Sequence, residues 1–355
     1  MSTYWCYIAN RSTSVRGRAR LDSRRVRAIQ IVDLKGPDGS LREVELSEPE
    51  PSHPVTPGRG VVVEVHAAGV SFPEVLQTRG QYQVKPELPF VPGSEVAGIV
   101  RSAPDGAEVQ VGDRVAAFCG LGGFAEIAVA PEWLTVPLAD GLDFAQGAGL
   151  ILNYHTAYFA LAVRGRLAAG ETVLVQGAAG GVGTAALQVA KGLGARAMGV
   201  VSSDEKEAVA REAGADEVVR SGGPWRDQVR ELAGGGVDVV VDPVGGDRFT
   251  DNLRSLRTGG RCVVVGFTAG SIPEVKVNRL LLNNVEVVGA GWGAYVMGKP
   301  ERGKEIAAAV TRLVEEGHVR PIVGARFPLE RPADALELID SRGATGKVVL
   351  EIDRP

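Results

Sequence analysis

The run Gly177-Ala178-Ala179-Gly180-Gly181-Val182-Gly183 holds the residue types and spacing that most directly imply chemistry. From Ala178 it reads A-x-G-x-x-G, the dinucleotide fingerprint with alanine in place of its first glycine. The chemistry is anion binding by the backbone. Gly180 lets the main chain approach a pyrophosphate, and Gly183 lets the following helix pack closely on the preceding strand. The helix N-terminus then offers unpaired N–H groups to the phosphates. Ala179, Gly180, Gly181 and Val182 are therefore candidate phosphate contacts. A glycine-rich turn alone is a weak signal, but its flanks fit. An apolar β-branched run, Thr172 to Val175, precedes it, and a helical segment, Thr184 to Leu193, follows. Gly194 closes that segment before a second apolar run, Ala197 to Val201. Strand, turn, helix and strand make a βαβ unit, whose crossover is right-handed.

The end of the second strand bears on which dinucleotide is bound. A site for NAD places a carboxylate there to accept from the ribose hydroxyls. This chain has Val201-Ser202-Ser203, with Lys206 one turn into the next helix and Arg220 further on. Ser202, Ser203, Lys206 and Arg220 are expected to meet the extra ribose phosphate, so NADPH is expected to be preferred over NADH. Asp204 argues the other way if it points inward. Two later runs, Asp242-Pro243-Val244-Gly245-Gly246 and Gly266-Phe267-Thr268, each end a buried strand at the carboxyl edge of the sheet, where ligands bind. Val244 is expected on the adenosine side, and Gly266 with Phe267 beside the nicotinamide ribose. A plain strand-to-loop turn would also explain the first of these runs.

These residues must be positioned by ordinary globular elements. The chain has 355 residues, enough for two domains with sizeable cores, and is 45% hydrophobic and 23% charged. Its formal net charge of -4 gives no sign of a nucleic-acid or anionic-membrane partner. No apolar run approaches the length of a membrane span. Cys6, Cys119 and Cys262 are far apart, so neither a disulfide framework nor a cysteine metal cluster is expected, and a reducing cytoplasm is the default. Residues 1–25 carry Arg11, Arg16, Arg18, Arg20, Arg24 and Arg25 against one acid, Asp22, and lack the apolar core of a secretory signal. An organelle transit peptide is one reading. The reading preferred is a disordered, dispensable extension upstream of a natural start near Val26.

From Val26 the chain is β-rich with Gly/Pro turns to about Val136, in short strands suited to a small barrel or sandwich. A helical stretch, Ala145 to Arg164, leads into alternating strands and helices, which means a doubly wound parallel sheet. The expected organisation is a β-rich domain at 26–148, a dinucleotide-binding domain at 149–292, and the rest of the first domain at 293–355. Val285 to Gly291 is an apolar strand at the end of the parallel sheet. An exposed edge of that kind invites pairing, so a homodimer is expected.

The segments AAGVSFPEVLQTRGQYQVKPELPFVPGSEVAGIV (67–100), VGDRVAAF (111–118), GAAGGVG (177–183), DPVGG (242–246), VNRLLLNNVEVVGAGWGAY (277–295) and TGKVVLEI (345–352) resemble, in kind and order, the medium-chain dehydrogenase/reductase superfamily. Within it the resemblance is to the zinc-free NADPH:quinone oxidoreductases, and it covers Val26 to Ile352. It implies a GroES-like β-rich catalytic domain and a Rossmann domain, α/β overall. It places Tyr82 near the nicotinamide, as a proton donor or a ring contact. Ser71, where the family often has asparagine, is the second catalytic candidate. Thr156 is implied at the nicotinamide amide or phosphate, Asn278 near the nicotinamide end, and Lys347 at a phosphate. Tyr154 and His155 could line the pocket, although a lone histidine there more often packs. Glu74 stands where many relatives have aspartate and reads as a solvated loop carboxylate. Trp292 reads as core, and Cys119 and Cys262 as buried and inert.

A catalytic zinc needs three protein ligands around an open position. The zinc alcohol dehydrogenases take a cysteine from the loop that is Ser71 to Glu74 here, and a histidine at the position of Ser94. Their four-cysteine structural site is also absent. His53, His66, His155 and His318 have no ligand spacing. No metal is therefore expected. Without a Lewis acid, the accessible chemistry is hydride transfer to a conjugated carbon, as in quinones and enones. The expected function is a zinc-independent, NADPH-dependent quinone or enone reductase. An enoyl-thioester reductase and a low-turnover NADPH-binding sensor are the alternatives.

Overall fold

The computed structural model describes residues 24–353. The arginine-rich segment, apart from Arg24 and Arg25, thus lies outside the described residues. The described chain forms two compact units, 24–152 with 294–307 and 323–353, and 153–293 with 308–322. The expected boundaries differ from these by a few residues, except that 308–322 groups with the second unit.

The first unit opens with a two-stranded antiparallel ribbon, β1 (Arg25–Ile31) and β2 (Leu41–Ser47). Its main sheet is built on β3 (Val61–Val70), a run of valines and alanines that buries both faces as fully covered strands do. A short helix, α1 (Phe72–Gln77), follows β3 directly. β4 (Glu95–Ser102) and β6 (Ile127–Ala130) pair antiparallel to β3, β5 (Arg114–Phe118) pairs with β4, and β7 (Thr135–Pro137) pairs with β5. The single helix expected over Ala145 to Arg164 is broken. α2 (Phe144–Gly147) is α-helical, whereas Ile151–His155 and Phe159–Arg164 are wound as wider π turns, a feature that frequently accompanies functional sites.

The second unit is a six-stranded, wholly parallel sheet. Its strands are β8 (Thr172–Gln176), β9 (Arg196–Val201), β10 (Glu217–Arg220), β11 (Val237–Asp242), β12 (Leu256–Val264) and β13 (Glu286–Gly289). They lie in the order β10-β9-β8-β11-β12-β13. The strand order reverses between β8 and β11, which is the switch point where doubly wound sheets bind ligands. Its crossovers include α3 (Gly181–Gly192), α4 (Asp204–Glu212), α5 (Trp225–Leu232) and α6 (Phe249–Ser255). α7 (Asn278–Asn283) precedes β13, which is an edge strand as expected. β12 begins at Leu256 and carries Gly259 and Gly260 inside the strand. The chain then returns to the first unit. There β14 (Val323–Pro328) and β15 (Lys347–Glu351) run parallel, joined by α8 (Pro332–Asp340), and β15 pairs antiparallel with β3.

Candidate functional site

In the second unit the glycine turn follows β8 and opens α3 at Gly181, three residues earlier than expected. A Cβ on Gly183 would fall 2.2 Å from the Gly177 carbonyl oxygen, so this glycine is what lets helix and strand approach. Gly181 is pinned in a different way, because a Cβ there would lie 2.5 Å from Asn153 Nδ2. Gly180 has no such reason inside the protein: a Cβ there would meet nothing nearer than 3.5 Å, and φ of -81° suits any residue. α3 also starts without a side-chain cap. Open space beside Gly180 and uncapped N–H groups fit a pyrophosphate.

The loop after β11 is folded onto this turn. Asp242 accepts from the Val244 and Gly245 N–H groups at 2.8 and 2.9 Å and from Asn252 Nδ2 at 2.9 Å, while Asn252 Oδ1 accepts from Gln176 Nε2 at 2.7 Å. Burial raises the Asp242 carboxyl above its usual range, against these donors. Val244 thereby sits 3.2 Å from where a Cβ on Gly177 would be, and Phe267, after Gly266, covers Gly245. The structure thus brings together the turn, Val244 and Phe267.

At the end of β9, Ser203 caps α4, accepting from the Lys206 N–H at 3.3 Å. Lys206 Nζ reaches Ser202 Oγ at 3.4 Å. Arg220, the further cation expected at the phosphate, stands among carboxylates. Its guanidinium is held by Asp204 and, at 2.8 Å, by Glu207. Asp204, the expected counter-argument, is committed to this pair and fully exposed. Thr156 is buried, and Asn278 is exposed at the start of α7. Tyr154 and His155 are core residues and not pocket walls: Tyr154 donates to Gln188 Oε1 at 2.9 Å, and His155 packs edge-on against buried Trp292. Burial pulls the His155 imidazole down to about 3, so it is neutral.

The first unit holds a cavity of about 40 Å³, enough for about three waters and hence for the oxygen end of a small molecule. Tyr82, Gln77, Ser94, His53 and Cys119 line it among apolar residues that include Val84, Phe118, Leu134 and Met297. Burial pushes the Tyr82 phenol up to about 12, so it is a neutral donor. His53 bonds the Cys119 carbonyl at 2.9 Å and burial lowers its pKa. The Cys119 thiol is raised by burial and is inert, as expected, and so is the buried Cys262 thiol.

Beside this cavity lies a dry polar cluster that sequence reading missed. Lys347 is 3% exposed, and its ammonium donates to Glu95 Oε1 and to Ser71 Oγ, both at 2.6 Å. A group committed in this way is not a free phosphate contact, which corrects the expectation for Lys347. Glu95 Oε2 accepts from the Leu152 N–H at 2.8 Å. Gly69 makes the room, since a Cβ there would fall 2.7 Å from Lys347 Cε and 2.8 Å from Glu95 Cγ. Glu74 is also corrected. It is wholly buried, accepting from the Ser71 N–H at 2.9 Å and from the Ser94 hydroxyl. The signal was present in Ser71-Phe72-Pro73-Glu74, a capping-box spacing that turns the N3 carboxylate inward on its own helix start. Ser71, by contrast, is engaged with Lys347 and with Glu74.

Two family models match the chain. "Alcohol dehydrogenase GroES-like domain" covers residues 57–140 and "Zinc-binding dehydrogenase" covers residues 181–312. The chain is 37% identical to bovine "Quinone oxidoreductase-like protein 2", over 99% of this chain and 100% of that protein. Among solved structures, it is similar to a probable oxidoreductase from Mycobacterium abscessus (44% identity, TM-score 0.83, covering 93% of this chain and 100% of that one). It is also similar to a mycobacterial protein solved in complex with NADPH (33% identity, TM-score 0.83, covering 92% and 99%).

Proposed function

The chain belongs to the quinone oxidoreductase-like family of the medium-chain dehydrogenase/reductase superfamily, and from that premise we propose that it reduces quinones or activated alkenes with NADPH and without zinc. The observation that carries the reading is the glycine turn, with open space at Gly180 and uncapped α3, at the switch point of the parallel sheet. The NADPH-bound relative supports the choice of cofactor. Bound there, NADPH supplies a hydride. The chain's own part is to hold the phosphates on the turn, to neutralise the ribose phosphate with Lys206, and to orient an acceptor oxygen with the neutral Tyr82 hydroxyl. At the two ligand positions of the zinc relatives stand Ser94 and the loop Ser71 to Glu74, and their polar atoms are engaged with one another and with Lys347. That commitment supports zinc-independent chemistry. No helix among the described residues is long and apolar enough to cross a membrane.

NADPH consumption measured with menadione, cyclohexenone and crotonyl-CoA tests this reading. Turnover with the first two supports it, turnover with crotonyl-CoA alone favours an enoyl-thioester reductase, and none at all leaves a binding protein. Tyr82→Phe should cost less than the roughly 10²-fold loss of a general acid, because a phenol held so high orients better than it donates. Steady-state kcat at saturating NADPH reads this out.

Lys206→Ala should weaken NADPH binding about tenfold or more, as loss of a hydrogen bond to a charged group does, and leave NADH nearly unchanged. Titration calorimetry with both cofactors decides the matter, and equal effects would refute the assignment.

The protein is also proposed to be a homodimer through β13. Leu281 and Leu282 on α7, each about three-quarters exposed, and Val287 on the edge strand are exposed apolar side chains that pairing through this edge would cover. Light scattering at micromolar concentration should give twice the chain mass, and a monomer would contradict it.

A further inference from the structure

Glu74, Glu95 and Lys347 are 0%, 1% and 3% exposed, three titratable groups in one dry cluster. One ammonium balances one carboxylate. The geometry allocates it to Glu95, whose Oε1 lies 2.6 Å from Lys347 Nζ. Glu74 has no ion-pair partner among the described residues. Its oxygens meet only neutral groups, the Ser94 hydroxyl and the Ser71 N–H. Ionised, it would be an uncompensated buried charge, and a group so placed keeps its proton.

The other groups that face Glu74 leave this unchanged. Cys119, from the loop after β5, is a neutral thiol that donates to the Gly93 and Ser94 carbonyls. Tyr82 is a neutral phenol, and Glu95 adds a like charge. Burial raises the Glu74 carboxyl above its usual range, and the Ser94 hydrogen bond and the Lys347 charge oppose that only in part.

Ser94 is where this acid meets the cavity, since it lines the wall and is bonded to Glu74 behind it. We infer that Glu74 is a stored proton and that Ser94 delivers it to the oxygen of an acceptor bound beside Tyr82. The inference rests on the reductase reading above and meets a need of that reaction. A conjugated acceptor that has gained a hydride carries an oxyanion and must take one proton. The Ser94 hydroxyl gives its proton to that oxygen while the Glu74 carboxyl gives its own to Ser94 Oγ. One O–H bond forms on the product, one breaks at Glu74, Ser94 ends as it began, and no electrons move. The serine hydroxyl both donates and accepts, so the hydrogen bond to Glu74 runs in either direction. After product leaves, water entering the cavity returns a proton to Glu74 along the same path. Ser94 is the group that touches substrate, and Glu74 acts through it.

The test is made on the full chain with menadione and NADPH. Infrared difference spectra of wild type against Glu74→Gln at neutral pH should show one protonated-carboxyl band in the wild type. Wild-type kcat should fall as pH rises through the raised Glu74 value, because the protonated form is the active one. Ser94→Ala and Glu74→Gln should each lose roughly 10²-fold in kcat and lose that alkaline decline, with KM for NADPH unchanged. Ser94→Thr, which keeps the hydroxyl, should retain most of the turnover. Stability has the same sign: the neutral acid favours the fold at low pH, and the benefit is lost as pH rises through the raised value. Glu74→Gln should therefore hold its stability into alkaline pH better than wild type. Absence of the protonated band, or a Glu74→Gln enzyme with wild-type kcat and pH profile, would overturn the inference. A wild type that turns over no acceptor would strike the reductase reading instead, while the band still decides where the proton sits.

Discussion

Lys347→Met should destabilise the first unit by about 3–5 kcal/mol, since it leaves Glu95 as an unpaired charge in a dry site. Few single changes in this chain should cost more, because both partners are buried and methionine supplies the volume without the charge. The pairing makes a second, sharper expectation. Lys347→Met combined with Glu95→Gln should recover much of the loss, because the glutamine is neutral yet keeps an oxygen for the Leu152 N–H. Chemical denaturation of the single and double variants reads out both. Equal stability of Lys347→Met and wild type would mean that the cluster is wet in solution and that its charges are screened.

Gly180→Val should abolish NADPH binding and leave the apo fold intact. The backbone there has φ -81° and ψ 175°, an extended conformation that any residue adopts, and its Cβ would meet nothing nearer than 3.5 Å. The apo stability should thus stay within about 0.5 kcal/mol of wild type. The branched side chain, however, fills the space that a pyrophosphate needs. Wild type at an NADPH concentration 100 times Kd should gain about 2.7 kcal/mol, and Gly180→Val should gain nothing. Gly183→Ala is the useful contrast. Its Cβ would clash with the Gly177 carbonyl oxygen, so it should lose apo stability as well. A Gly180→Val protein stabilised by NADPH like wild type would remove the turn from the binding site.

The glycine turn of the second unit and the polar cluster of the first were legible in the sequence to different degrees, for a physical reason. The turn is local: a strand, a turn and a helix follow one another in the chain, so Gly180 and Gly183 announce their neighbours by spacing alone. The same holds for β13 as an edge. The polar cluster is assembled from far-apart positions. Lys347 comes to Glu95 and Ser71 from the far end of the chain, and only the pairing of β15 with β3 and β3 with β4 brings them together. A lysine after Thr345-Gly346 therefore reads as a surface phosphate contact until the sheet is seen. Glu74 was misread as solvated although its capping-box spacing was visible, because the spacing shows where the carboxylate turns and not that Ser94 closes over it. The break of the 145–164 helix into π turns left no mark in the apolar period, which wide and normal turns share over so short a span.

The central claim is hydride transfer from NADPH to a conjugated carbon without a metal. NADPH carrying deuterium at its transferable position, incubated with the full chain and cyclohexenone in the presence of a zinc chelator, tests it most directly. Mass and NMR analysis of the product should place one deuterium on the β carbon of cyclohexanone. No label in the product, or label on the carbonyl carbon of an allylic alcohol that forms only when zinc is supplied, would contradict it.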